Sequence, residues 1–381
     1  MNYIRSIAKQ VLKDLTDSGK IVLLYGPRQS GKTTLSKMII ENTGLKPLVV
    51  NADQAKYVDV LSSRDLLKLK SLVSGYDLLF IDEGQRVPDI GLNLKILHDE
   101  IPELKVLVTG SSSFLLSGRV TESLTGRKKV HNLLPLSIEE LSQYFNPFEI
   151  NEQLEERLIY GSYPEVVNLK GYQEKEEYLR EISSSYIYKD ILELESIKYP
   201  IKIRDLLRLL AFQVGSQVSV HELGKQLALN RETVERYIYL LEQSFVIYRL
   251  SAFSRNLRKE VAKSDKFYFY DIGIRNIIID NMNLLNARND VGALWENFII
   301  SERKKFLLFN GLHANSYFWR TYTGSEIDYI EERNTELFAY EIKYSKAKGN
   351  LPKTWQSEYG SNFKLINREN YLSFVMSLSK P

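Results

Sequence analysis

With 381 residues, 44% of them hydrophobic and 26% charged, the chain has the composition of a folded globular protein and length enough for two or three cores. Its net charge is only +3, so the total points to no nucleic-acid partner, and any such surface must be a local cluster. The lack of cysteine excludes disulfides and thiolate metal sites and fits a reducing compartment.

The first residues place Ile4, Ile7, Ala8, Val11, Leu12 and Leu15 at helical spacing with charges between them. This predicts an amphipathic helix, not a signal peptide. No window approaches the roughly 20 apolar residues of a bilayer span. The expectation is a cytoplasmic protein without a membrane partner.

Residues 20 to 135 alternate between two patterns. KIVLLY (20–25), PLVVNAD (47–53), DLLFID (77–82) and KVLVTG (105–110) are short runs without a polar face, as in buried parallel strands. The segments between them have helical length, which predicts an α/β unit. The first strand runs into GPRQSGKTT, where Gly26, Pro27, Arg28, Gln29, Ser30, Gly31, Lys32, Thr33 and Thr34 fit the spacing G-x-x-x-x-G-K-[ST]. Glycines let successive amides converge on phosphate oxygens, and the following helix adds its N-terminal partial charge. Lys32 would reach the outer phosphates of ATP, and Thr33 would ligate Mg²⁺.

The third strand ends in Asp82 and Glu83, at the edge where open sheets bind ligands. Beside a phosphate loop, Asp82 is expected to hold magnesium and Glu83 to orient and deprotonate the attacking water. An acid after a strand can also cap a helix; its pairing with the loop favours hydrolysis. The fourth strand ends in TGSSS, where hydroxyls such as those of Thr109 and Ser111 could sense the γ-phosphate. Arg119 and Arg127 are candidates to offset transition-state charge, in their own subunit or in a neighbour within a homo-oligomer. Arg127 is better placed because Gly126 precedes it in a tight turn, although each arginine reads equally well as a surface residue.

From about 136 to 210 the pattern is helical, with EEYLREISSSYIYKDILELE the longest element. The stretch from SVHELGKQL to KFYFYDIG then predicts helix, turn, helix, strand, charged loop and strand. Ser219 with Glu222 is a capping box, and Asn230 can cap the second helix. Residues 290 to 381 predict one long helix, strands near 316–322, 326–331 and 337–344, and an α/β remainder. The expected units are 1–145, 146–210, 211–280 and 281–381.

GPRQSGKTTL, LLFIDEGQRVPD, VLVTGSSSFLLS and SLTGR, followed by LPLS, resemble the prokaryotic AAA-type ATPases of the archaeal-ATPase group. The likeness continues through GSYPEVV, YIYKDIL, RETVERYIYLLEQSFVIYRL and KFYFYDIGI to WENFI, GSEIDYI and YEIKYS, nearly the whole chain. It implies a P-loop ATPase, a winged-helix module and a restriction-endonuclease-like, PD-(D/E)xK, terminal fold. Gly84 departs from the pattern, since such proteins carry a bulky apolar residue there. In the winged helix, residues 231–244 would form the second helix of a helix-turn-helix, its exposed face mixing Arg231, Glu232, Glu235 and Arg236. The next loop sets Arg255, Arg258, Lys259, Lys263 and Lys266 against Glu260 and Asp265, and could contact a DNA backbone without reading sequence. A module used for packing between domains or subunits accounts for it equally well.

The endonuclease-like reading takes Glu296 from the long helix, Asp328 from GSEIDYIEE and Glu341-x-Lys343 from LFAYEIKYS. Glu326 and Ile330 share the strand face of Asp328 under strict alternation. The three carboxylates would hold one or two Mg²⁺ or Mn²⁺ ions, and Lys343 would orient water or offset charge on a scissile phosphate. Glu341 and Lys343, opposite Phe338, Tyr340, Ile342 and Tyr344, also fit a plain solvated face, and such folds also serve as binding modules. The whole reads as Mg-dependent ATP hydrolysis coupled to a module acting on DNA. The alternative is an ATP-switched scaffold with a silent nuclease fold.

Overall fold

A computed structural model describes residues 2–111, 124–187, 199–255, 265–345 and 348–377. Five short strands form the first sheet: β1 (Ile21–Tyr25), β2 (Pro47–Asn51), β3 (Leu78–Asp82), β4 (Lys105–Gly110) and β5 (Lys128–Asn132). All pairings are parallel, in the spatial order β2-β3-β4-β1-β5. Thus β4 lies between β1, which enters the glycine-rich loop, and β3, which ends in the two acids. Every residue of β1 and the first four of β3 are buried, a burial that requires cover on each face and leaves no polar alternation in the sequence. The edge strand β5, KKVHN, escaped the apolar-run signal because every residue in it except Val130 is polar.

The cover includes α1 (Ala8–Asp17), α2 (Lys32–Glu41), α3 (Ala55–Leu61), α4 (Leu66–Val73) and α5 (Ile90–Glu100). The first helix starts later than its apolar spacing predicts. In residues 2–7, Tyr3, Arg5 and Ile7 are buried while Ile4 is 53% exposed, an alternation that sends Arg5 inward.

Short helices follow: α6 (Ile138–Leu141), α7 (Pro147–Glu152), α8 (Leu154–Tyr160), α9 (Pro164–Asn168) and α10 (Tyr172–Glu181). Next come α11 (Pro200–Phe212), β6 (Gln217–Val218), α12 (Val220–Leu227), α13 (Arg231–Gln243), β7 (Ile247–Ala252) and β8 (Asp265–Phe269). The Ser219 and Asn230 side chains accept from the amides of Glu222 at 3.3 Å and Thr233 at 2.8 Å, so local capping sets both helix starts.

The last stretch runs α14 (Ile272–Ile278), α15 (Val291–Phe309), β9 (Asn315–Arg320), β10 (Glu326–Arg333), β11 (Glu336–Ile342), α16 (Lys353–Tyr359), β12 (Phe363–Ile366) and α17 (Tyr371–Met376). β9, β10 and β11 form an antiparallel meander, and β12 returns parallel to β11. β9 also pairs in parallel with β7, giving one seven-stranded sheet in the order β12-β11-β10-β9-β7-β8-β6. The stretches on either side of residue 280 therefore share a sheet and a core. Trp295, Phe298 and Ile299 of α15 lie in that core with Phe267, Tyr329 and Tyr340.

β10 carries one extra residue against β9, a bulge between Ile327 and Ile330. Ile327 and Ile330 consequently fall in one small cluster with Trp319 and Trp355, whereas Tyr329 joins the larger core. The strict alternation that would set Ile330 beside Asp328 breaks at this point. No helix among the described residues is long and apolar enough to cross a membrane. Arg119, Arg258, Lys259, Glu260 and Lys263 lie outside the described residues.

Candidate functional site

Gly26 follows β1 where the backbone passes close to Leu133. A Cβ there would sit 2.0 Å from the Leu133 carbonyl oxygen, so the turn accepts only glycine. Gly31, at φ +94°, turns the chain into α2. Lys32 is buried and donates to the carbonyls of Gly26 at 2.8 Å and Pro27 at 2.9 Å, which holds its ammonium over the loop.

Thr33 and Asp82 meet although they come from different strand ends. The Thr33 hydroxyl lies 3.1 and 2.9 Å from the two carboxylate oxygens of Asp82. Thr109, fully buried at the end of β4, donates its hydroxyl to Asp82 and accepts the Glu83 amide at 3.2 Å. It therefore braces the acid pair from behind. Glu83 has a left-handed backbone, φ 57°, costing about 1–2 kcal/mol for a residue with a Cβ. Gln85 donates to its carboxylate and accepts the Ser111 amide at 3.3 Å, tying the acid to the end of β4. Arg28, Gln29, Gly31, Lys32, Thr33, Thr34, Asp53, Glu83 and Arg86 line a cavity of about 330 Å³. One carboxylate, one hydroxyl and polyphosphate oxygens form a donor set that suits Mg²⁺, which needs no three-carboxylate cage.

Two participants had no sequence signal. Gln85 is an ordinary polar residue after the acids. Arg5 sits among apolar helix-spaced residues, yet its guanidinium donates to the Ser30 carbonyl at 2.7 Å, the Leu134 carbonyl at 2.6 Å and Glu140 at 2.9 Å. A second cavity, about 190 Å³, opens on this side of the loop between Tyr3, Arg5, Leu35, Met38, Asn168 and Tyr178.

Arg127 requires a correction. It precedes β5, whose far end pairs with Tyr25 beside the loop, so about five residues, roughly 16 Å, separate it from the phosphate end of the sheet. Its guanidinium instead makes a two-pronged pair with Asp99 at 2.7 and 3.1 Å. An arginine finger acting within its own subunit is excluded by that placement.

The C-terminal carboxylates form a second centre, though not the expected one. Lys343 donates to Asp328 at 2.7 Å and lies 3.9 Å from Glu341. The Asp328 carboxylate also accepts the Ile342 amide at 2.8 Å. Glu296 accepts from the Tyr268 hydroxyl at 2.6 Å and from Lys266 at 3.3 Å, and Lys266 reaches Glu326 at 2.7 Å. Burial, followed by the Asp328 charge, pushes the Glu296 carboxyl above its ordinary range, despite Lys266. Burial works against the Lys266 charge, yet Glu296 and Glu326 hold its ammonium above the usual value. No group of three acids or histidines among the described residues is placed to hold a metal ion. The expected metal site of Glu296, Asp328 and Glu341 does not fit, because lysine ammoniums and backbone amides already occupy the carboxylates.

Residues 18–142 match the family model described as an AAA domain. Residues 151–285 and 291–362 match two models described as domains of unknown function, DUF8612 and DUF4143. The chain is 29% identical over 328 residues to an uncharacterized protein of Mycobacterium tuberculosis, covering 85% of this chain and 70% of that protein. An uncharacterized protein of Methanocaldococcus jannaschii is 26% identical over 317 residues, covering 75% and 70%. Among solved structures, the Walker-type ATPase PABY2304 of Pyrococcus abyssi is similar at 15% identity and a TM-score of 0.48, covering 73% of this chain and 96% of that one. Strand order, glycine-rich loop and family match together make the first unit a P-loop ATPase-type domain.

Proposed function

We propose that this chain binds Mg-ATP on the Gly26–Thr34 loop, hydrolyses it, and uses the cycle to switch its C-terminal half. The contact of Thr33 with Asp82, with Glu83 next in sequence, carries this reading. It joins a helix start suited to phosphate with a carboxylate pair from another strand, the combination phosphoryl transfer needs. Lys32 would hold the outer phosphates and Glu83 would take a proton from the attacking water, while Thr109 keeps both acids oriented. Thr33 and Asp82 would hold Mg²⁺, which when bound offsets charge on the outer phosphate oxygens. The cavity beside Tyr3, Met38 and Tyr178 has room for the base.

Lys32→Ala is expected to abolish nucleotide binding, and Glu83→Gln to bind ATP without turnover. Phosphate release by Glu83→Gln at the parent rate sinks the assignment.

For the C-terminal half, the order of α11, β6, α12, α13, β7 and β8 supports a winged-helix module. The order of α15, β9, β10, β11, α16 and β12 supports a nuclease-like fold. The occupied carboxylates favour a silent fold in an ATP-switched scaffold over a cleaving enzyme. DNA remains the proposed partner of the winged helix, although Arg249 is committed to Glu235, Glu242 and Asp265 at 2.9, 3.7 and 3.1 Å. Titrating duplex DNA binding against salt, with and without ATP, separates the cases. A steep ATP-dependent salt slope supports DNA, and no binding at low salt leaves the scaffold alone.

A further inference from the structure

We infer that Lys266 is a resident counter-ion standing in for the divalent cation at the centre of Glu296, Glu326 and Asp328, so that this centre works without metal. Lys266 does not belong to the stretch that carries those acids. It comes from β8, not from the loop in which its sequence position suggested a DNA contact, and its side chain is 3% exposed, lying over the Phe318 ring at 5.3 Å with its ammonium between Glu296 and Glu326. Its backbone is held from both sides, paired with Gln217 of β6 and Leu250 of β7. The joining of β7 to β9 then fixes β8 relative to the acids.

The remaining valences are also taken. Glu296 receives the Tyr268 hydroxyl, and Glu326 lies 3.5 Å from Arg320. Asp328 receives Lys343 and the Ile342 amide. Glu341 turns toward the Asn350 amide at 3.2 Å and packs against Gly349, where a Cβ would lie 2.6 Å from its carboxylate. Against the carboxylates of Glu296, Glu326, Asp328 and Glu341 stand the cations of Lys266, Lys343 and Arg320. A metal ion entering this arrangement would displace a buried ammonium and leave it without partners, an outcome that buried pairs resist strongly. An ammonium donates three hydrogen bonds, and here it supplies the charge without open coordination positions.

This inference is independent of the nucleotide reading, and its test silences the ATP site with Lys32→Ala and Asp82→Asn. In that background, calorimetric titration with Mn²⁺ is expected to give no heat, and melting in Mn²⁺ is expected to match melting in EDTA. Adding Lys266→Met should create Mn²⁺-dependent stabilisation, which Lys266→Met with Glu296→Gln should remove again while restoring charge balance. Binding of one Mn²⁺ by the background protein, lost on Glu296→Gln, overturns the inference. So does a folded Lys266→Met variant that gains no response to Mn²⁺. If Lys266→Met does not fold, the titration of the background protein decides by itself.

Discussion

Thr109 shows how much of the nucleotide site rests on a residue that need not touch nucleotide. Its hydroxyl serves Asp82 and the Glu83 amide at once, from a position with no solvent access. Thr109→Val keeps the shape and deletes the hydroxyl. A hydrogen bond to a charged group contributes about 1.5–3 kcal/mol, so the Mg²⁺ concentration needed for half-maximal ATP binding should rise roughly tenfold or more. A Mg²⁺ titration of nucleotide binding measures this. An unchanged midpoint would mean that Asp82 is oriented by Thr33 alone.

At the scale of elements, α15 is the spine of the C-terminal half, and polar side chains fix its position. Asn297 accepts the Phe269 amide at 2.8 Å and donates to the Phe269 carbonyl at 2.8 Å, acting as a one-residue extension of the ladder at the end of β8. Asn297→Leu leaves the Phe269 amide buried and unpaired, while the Ser301 hydroxyl still serves the Phe269 carbonyl at 2.7 Å. One orphaned donor costs about 1–3 kcal/mol, and a loss of that size is expected in urea unfolding. At the start of α15, burial opposes the charge of Asp290, but Arg288 and Arg275 outweigh it and hold the carboxyl down at about 2. Because the folded value lies below the ordinary 3.8, the stability it contributes is present above about pH 4 and is lost as pH falls through 2. Asp290→Asn should therefore be less stable than the parent near neutrality, and the gap should close in acid. Urea midpoints at several pH values test this, and a gap constant down to pH 2 would contradict it.

Across the whole molecule, bonded contacts lead from the phosphate loop to α15. Arg5 holds Ser30 of the loop and Glu140 of α6, and Glu140 closes a capping box with Ser137. The next amide, that of Ile138, donates to Glu302 of α15 at 2.6 Å, and Lys305 ties Glu302 to the Leu136 carbonyl. If ATP moves the loop, Arg5 is placed to pass the displacement to the helix that also carries Glu296. ATP is expected to change hydrogen-exchange protection of α15 in the Glu83→Gln protein. Adding Arg5→Met should abolish the change while leaving some ATP binding. A protection change that survives Arg5→Met removes Arg5 from the route.

What the sequence determined by itself was local in origin. Uninterrupted apolar runs mark the three central strands, β1, β3 and β4, because a strand covered on both faces has no place for polar alternation, and a similar run marks β2 at the sheet edge. The glycine and lysine spacing marks the loop, since the residues that shape it are neighbours in the chain. Ser219 and Asn230 mark helix starts, because a cap acts within three residues. Tertiary structure alone decided which charges meet. KKVHN became an edge strand beside β1, which carried Arg127 to the wrong end of the sheet for catalysis within its own subunit. The β10 bulge changed which residues share the Asp328 face, and one extra residue leaves no periodic trace in so short a strand. Arg5 and Lys266 are bound to partners 25 or more positions away, at distances set by strand order and register. Composition and spacing place a charge on a face; only the packing of one sheet edge against another chooses the carboxylates it will neutralise.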